Sequence, residues 1–360
     1  MSRRLGKPLF SGSFRILAIA LGTVSVLVAS AGAREQSKPV DRPQTKIAFG
    51  PGQSARKATI KKWSSARFRF RSDERLSSFQ CRVDGRPWHR CSSPVRIRVR
   101  PGKHRFLVRA RDRDGNLDRK AAWRSWRAKR WEPHIRTARR YARRRAGPVS
   151  VAVDVGWRTR GYRPSLTAPT ASTIKVMLMV AYLRRKGVRH RSLTGSEKNL
   201  LGRMIRVSDN GAATAVRDLD GARSIIRLAR RAGMEDFDYS PIWGICRTSA
   251  RDQASFMRRI RQFIPKRHER FALGQLGHIS SRQSWGIGKL PLTGWKVRFK
   301  GGWGISDGGY GGVVNHQVVQ LTHGKWKIGV AALTMGNPNT EYGAVTLKGV
   351  FSRLLGGLPH

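Results

Sequence analysis

Two hydrophobic rhythms divide the chain. From Lys46 to about Arg127, apolar and polar positions alternate. "ARFRFRS" (66–72) and "VRIRVR" (95–100) do so strictly, which predicts strands with one buried face. Pro101-Gly102 forms a turn, "KHRFLVRARD" the next strand, and Asp114-Gly115-Asn116 another turn. Such short strands and close turns predict a small β-sandwich. Beyond Trp131 the rhythm lengthens. Glu132-Pro133 and Gly147-Pro148 bracket a basic helix, "HIRTARRYARRRA". "VSVAVDV" (149–155) is a strand, and a helical region follows through Arg185. "SEKNLLGRMIRVSDNGAATAVRDL" gives one or two helices; "GARSIIRLARRAGM" and "SARDQASFMRRIRQFI" give two amphipathic ones. The tail returns to strands, "WKVRFKGGW", "GGVVNHQVVQLTHG" and "KWKIGVAALTMG", and ends in a helix, "GAVTLKGVFSRLLG". The predicted fold class is α/β, with early and late segments sharing one antiparallel sheet beside a helical block, preceded by a small all-β unit.

The N-terminus has a third pattern. Arg3, Arg4, Lys7 and Arg15 precede an uncharged stretch from Ile16 to Ala33, closed by Ala31-Gly32-Ala33. A basic start, an apolar core and a small-x-small site predict a secretory signal over 1–33; the stretch is also just long enough for an uncleaved anchor. A polar linker with Pro39 and Pro43 covers 34–44, the β unit 45–127, and the α/β unit 130–360. Composition then adds charge: 73 basic against 21 acidic residues, a net of +52. An exported polycation has little access to nucleic acid, so anionic envelope polymers or a membrane surface are the matching partners. General arginine enrichment explains the charge equally well. A monomer is expected.

Three cysteines remain. Cys81 and Cys91 flank an Asp84-Gly85 turn and predict a hairpin-closing disulfide in an oxidising compartment. Cys246 is left as a buried thiol. Neither a metal site nor a cofactor is indicated, since no ligand spacing for one is present.

The candidate chemistry begins at Ser172-Thr173-Ile174-Lys175, entering an apolar run. Alone this pattern is an ordinary helix start, and Ser54-Ala55-Arg56-Lys57 repeats it. Two further motifs follow Ser172 in order, Ser208-Asp209-Asn210 and then Lys300-Gly301-Gly302 on a predicted strand. Together the three resemble the motif set of class A β-lactamases and penicillin-binding proteins. The resemblance spans roughly 130–360. It implies Ser172 as nucleophile, Lys175 as base and Ser208 as proton relay. Asn210, Lys300, Gly301, Gly302 and Trp303 would bind substrate. The N–H groups of Ser172 and Trp303 would form the oxyanion hole. A helix start beside Ser172 favours a developing oxyanion, and a lysine near a second cation loses its proton more readily. Residues 45–127 separately resemble a bacterial immunoglobulin-like repeat of exported proteins, on "FRFRSDE", "FQCRVDGRPWHRC", "GKHRFLVRARDRDGN" and Trp126.

Three departures qualify the larger resemblance. "DYSPIWGICRTSARD" (238–252), where the family carries its deacylating glutamate, has no carboxylate between Asp238 and Asp252. Glu235 and Asp236 lie earlier, at a helix end. Gly301 replaces the family's usual hydroxyl residue, and only 36 residues separate Ser172 from Ser208. The expected activity is hydrolysis of a β-lactam amide through an acyl-enzyme on Ser172. The alternatives are a D-alanyl-D-alanine peptidase acting on peptidoglycan and a catalytically weak, polycationic wall binder. Gly304-Ile305-Ser306-Asp307-Gly308 matches a nucleophile elbow but runs into a glycine loop rather than a helix. His268, His278, His316 and His323 are too scattered to predict a triad. Trp243 and Trp285 default to packing, while Trp303 follows a motif directly and can line the cleft.

Overall fold

A computed structural model describes residues 41–51, 59–60, 65–128, 131–305 and 309–358. The signal at 1–33, the linker up to residue 40, Ser54 to Lys57 and Ser306 to Gly308 lie outside them. Among the described residues, no helix is long and apolar enough to cross a membrane.

The first unit is all β. Its strands are β1 (Thr45–Phe49), β2 (Thr59–Ile60), β3 (Ser65–Ser72), β4 (Ser78–Val83), β5 (His89–Cys91), β6 (Val95–Arg98), β7 (Gly102–Arg111) and β8 (Ala122–Ala128). They form two sheets, β1-β3-β6 and β2-β8-β7-β4-β5. The alternation in β3 is realised side by side: Ala66, Phe68 and Phe70 are buried while Arg67, Arg69 and Arg71 are exposed. Phe68 stacks on Phe106 at 4.2 Å and meets Trp126 edge-on at 5.3 Å, so aromatic pairs fill this small core. Cys81 and Cys91 are joined across the β4–β5 hairpin. Asp84 and Gly85 both take positive φ in its turn, the geometry that suits right-twisted strands.

The second unit runs α1 (Ile135–Ala142), β9 (Val149–Asp154), β10 (Thr159–Tyr162), β11 (Thr167–Pro169), α2 (Lys175–Leu183), α3 (Gly195–Arg206), α4 (Asn210–Arg231), β12 (Arg247–Ser249), α5 (Ala250–Phe263), α6 (Glu269–Gly277), β13 (Lys296–Ile305), β14 (Val313–His323), β15 (Trp326–Asn337) and α7 (Thr340–Leu354). Five strands form one antiparallel sheet in the order β10-β9-β15-β14-β13, so early and late segments do share it. α1 and α7 cover one face around Phe351, Val350 and Val330. The helical block covers the other around Met177, Phe256 and Met257. Gly329 on β15 admits α5: a Cβ there would lie 1.8 Å from the Ala254 carbonyl.

All nine residues of α2 are buried, so its "KVMLMVAYL" is the central core helix rather than an amphipathic surface one. α3 opens with a capping box between Thr194 and Glu197, and Asp209 caps α4 through the Ala212 N–H. One or two helices are expected over 196–219 and another over 221–234. α3 ends at Arg206, and the α4 span holds two helical stretches that meet at Gly221, whose φ 67° and ψ 157° are not helical. Glycine adopts that conformation without strain, so the helix breaks where the next one is expected to start. α6 and the short pair β11–β12 carry no period strong enough to read from sequence.

Asp220, beside that break, is 8% exposed, and neither of its carboxylate oxygens has a hydrogen-bond partner. Burial raises its pKa from 3.8 to about 8. The folded protein therefore holds a proton that the unfolded chain releases. The associated stability is fully present below pH 3.8 and is lost as pH rises through about 8. Asp220→Asn removes this dependence. Urea denaturation should show a larger stability gain over wild type at pH 9 than at pH 5, on the order of a few kcal/mol. An equal gain at both pH values would show that Asp220 is ionised throughout.

Candidate active site

Ser172 does not cap a helix. It lies in a 3-10 turn, Ala171–Ile174, that runs into α2, and neither it nor Thr170 makes a side-chain cap. Ala171 just before it has φ +43°, a left-handed conformation for a non-glycine residue, which costs about 1–3 kcal/mol. The turn is pinned from two sides. The Thr173 hydroxyl donates to the Thr170 carbonyl at 2.6 Å, and the Thr170 hydroxyl donates to the Trp243 carbonyl at 3.1 Å. From the sheet, Gly302 comes so close that a Cβ would lie 2.9 Å from the backbone nitrogens of Ser172 and Thr173. Only glycine allows β13 to approach the turn this closely, which brings the strand carrying Trp303 up to Ser172.

Lys175 starts α2 and is fully buried. Its ammonium donates to the Ser208 carbonyl at 2.6 Å, the Ser208 hydroxyl at 3.1 Å and Asn210 Oδ1 at 2.7 Å. These account for its three protons, and no hydrogen bond runs from it to Ser172. Lys300, on β13, is also fully buried and donates to the Ser208 hydroxyl at 3.0 Å and the Gly301 carbonyl at 2.7 Å. The Ser208 hydroxyl thus lies between two amines from different layers of the fold. Ser208 reaches both because it sits in the α3–α4 connection with φ +60°, presenting its carbonyl and its hydroxyl together.

Neither lysine has a carboxylate within ion-pair distance among the described residues. Burial lowers the Lys175 pKa to about 8, against a smaller upward pull from Asp209. Lys300 is depressed well below its ordinary value, by burial first and by Lys175 second. Two desolvated amines sharing one hydroxyl cannot both stay charged, and a neutral amine is a base.

The remaining candidates fall around this centre. Trp303 is 36% exposed, lies with its ring 5.6 Å from Lys300 Nζ, and packs edge-on against Trp285 at 6.0 Å. Trp285 also explains Gly301. A Cβ at 301 would lie 2.9 Å from Trp285 Cζ2, so the indole fills the space of the missing hydroxyl side chain. Trp243 brings its ring to 4.8 Å from Lys175 Nζ and donates from its indole N–H to Thr214. It belongs to the loop that lacks a carboxylate, so an aromatic face rather than an acid meets Lys175. Glu235 and Asp236 instead pair with Arg251. Asp252 is buried and accepts the Asp236 N–H. Cys246 is a buried free thiol. His316 lies buried opposite Gly302 with its Nδ1 on the Thr334 N–H, while His268, His278 and His323 each bond a carbonyl elsewhere. Among the described residues no His/Cys/Asp/Glu group could hold a metal ion.

The parts played by Trp243 and Trp285 were not read from sequence. One signal was available for Trp285: a glycine in place of a hydroxyl residue implies that something else occupies its space. This gives a direct test. Gly301→Thr should lower the melting temperature by several degrees through the clash, and adding Trp285→Ala should restore it. Calorimetry showing full stability for Gly301→Thr alone would remove the indole as the reason for the glycine.

Residues 187–353 match the β-lactamase enzyme family, a stretch that holds Ser208, Asn210 and Lys300–Trp303 and begins after Lys175. Similar solved structures include a class A β-lactamase from Mycobacterium abscessus, at 18% identity and TM-score 0.51, aligned over 62% of this chain and 97% of that one. Another is a class A β-lactamase representative from Bacteroides cellulosilyticus, at 14% identity and TM-score 0.51, aligned over 62% and 99%. No curated protein sequence matches the chain. At such identities the structural likeness speaks for the fold alone. The fold, the family match and the motif order agree, and residues 130–360 resemble the β-lactamase-like superfamily.

Proposed function

We propose that the protein is an exported active-site serine hydrolase that takes a β-lactam carbonyl onto Ser172. The observation that carries this is the meeting of Lys175 and Lys300 on the Ser208 hydroxyl. It supplies a neutral amine as base and a hydroxyl that can pass a proton. Lys175 releases its contact with Ser208, takes the Ser172 proton, and the Ser172 Oγ–carbonyl bond forms. The amide C–N bond then breaks, Ser208 protonates the nitrogen, and Lys175 returns a proton to Ser208. Backbone N–H groups of Ser172 and Trp303 receive the oxyanion. Water then releases the acyl group. Export rests on the basic, apolar and small-residue pattern of 1–33. Residues 45–127 are read as an immunoglobulin-like spacer ahead of the hydrolase unit at 130–360.

A second reading, a D-alanyl peptidase of penicillin-binding type, is favoured by one feature of the site. Trp243, not a carboxylate, faces Lys175. A deacylating water then lacks a strong base, and a β-lactam acyl group would leave slowly.

A fluorescent penicillin should label the wild type and not Ser172→Ala; equal labelling of both, or of neither, would falsify the acyl-enzyme. Nitrocefin separates the two readings: steady turnover marks a β-lactamase, and a single stoichiometric burst marks a penicillin-binding peptidase. The acylation rate should rise with pH around a midpoint of about 8, as Lys175 loses its proton. Asp209→Asn keeps the α4 cap but removes the upward pull on Lys175, so the midpoint should move to lower pH. Stopped-flow labelling that shows an unmoved midpoint would assign the titration to another group.

A further inference from the structure

α2 and α4 both begin at the candidate site, and both end at a second cavity. It measures about 770 Å³ and lies between the turn after α2 and the second half of α4. Arg184, Arg185, Lys186 and Arg189 line it from the turn, Arg227 and Arg231 from α4. Among the described residues none of these six has a carboxylate within ion-pair distance. Several are oriented by neutral groups instead. Arg184 donates to the Phe263 carbonyl at 3.0 Å, Arg227 to the Ser224 hydroxyl at 3.2 Å, and Arg185 lies 5.2 Å from the Tyr182 ring centre.

The cations crowd one another. The Arg184 guanidinium is held below its ordinary value by burial first, then by Arg231 and Arg189. Helix dipoles account for basic residues at the C-terminal ends of α2 and α4, hence for Arg184, Arg185 and Arg231. They do not account for Arg189 and Arg227 on the same cavity. Asp220 also borders it, but its oxygens have no hydrogen-bond partner, and burial pushes its pKa up to about 8 against a smaller downward pull from Arg185. It forms no ion pair with this wall among the described residues. Guanidinium groups do not shed their protons to relieve repulsion, so this partly exposed wall stays positive and is open to an external anion. Pre-oriented forks around a cavity suit the oxygens of a phosphate, which two or more arginines can hold at once.

We propose that this cavity binds a phosphate-bearing ligand, with Arg184, Arg189, Arg227 and Arg231 as its contacts. The proposal is independent of acyl transfer at Ser172. Its test is calorimetric titration of the full chain with tripolyphosphate at about 0.15 M salt, where diffuse surface attraction is screened. One saturable site is expected. Arg189→Ala with Arg227→Ala should weaken it at least about tenfold, a difference of about 1.4 kcal/mol. Arg139→Ala with Arg140→Ala, which removes equal charge from the exposed side of α1, should leave it unchanged. Absence of saturation, or equal weakening by both pairs, would overturn the proposal in favour of nonspecific attraction. A second arm uses phosphatidylglycerol vesicles. Sedimentation that depends on Arg189 and Arg227 assigns the phosphate to a lipid headgroup, and sedimentation independent of them assigns it to a soluble ester.

Discussion

The fold is organised around two lysines that share one hydroxyl in a dry interior. Lys175 comes from the central helix and Lys300 from an edge strand, and both are fully buried. Burying an amine without a counter-charge is expensive unless it gives up its proton or finds every hydrogen bond it needs. This site does both. Ser208 and Asn210 absorb the donors of Lys175, Ser208 and the Gly301 carbonyl absorb those of Lys300, and proton loss relieves the repulsion. Ser208 can accept from one amine and donate to the other, so the group that stabilises the pair is also the one able to move a proton. The arrangement holds only while sheet and helical block stay docked. Gly302, packed against the backbone of Ser172 and Thr173, and Gly329, packed against α5, are two glycines where they touch closely.

The same docking shapes what surrounds the nucleophile. Trp243 covers one side of Lys175, and Trp285 fills the space beside Gly301. Each indole stands where a polar group was the expectation, an acid on the loop and a hydroxyl on the strand. Both exchanges act in one direction. They leave the Lys175, Ser208 and Lys300 cluster intact and put apolar surface beside it. On the proposed acyl-transfer reading, such a site is better equipped to form an acyl-enzyme than to clear it.

Much of this was legible in the sequence because it is local. The strict alternation of β3 translated directly into buried phenylalanines and exposed arginines. Three short motifs in fixed order pointed to Ser172, Lys175, Ser208, Asn210 and Lys300, because together they resemble a known motif set. Interactions arising where distant segments meet were not legible. By resemblance Asn210 reads as a partner of the lysine or of the substrate, and the packing of α4 on α2 shows it accepting from Lys175. The left-handed backbone at Ala171 and Ser208 is imposed by the same docking, since neither residue type announces a positive φ.

Positive charge is handled in two ways in this chain, and the choice of side chain follows the location. Inside, the buried amines Lys175 and Lys300 are lysines, whose pKa can fall far enough for the charge to disappear, and a neutral amine can act as a base. At the far ends of α2 and α4 the cations are mainly arginines, which cannot deprotonate at any ordinary pH, so their crowding persists until an anion arrives. One pair of helices therefore joins a centre where positive charge is quenched internally to a cavity where it is left open. A net charge of +52 need not be explained as a single diffuse property: on the two proposals, lysine in the interior serves proton transfer, and arginine at the cavity wall serves recognition.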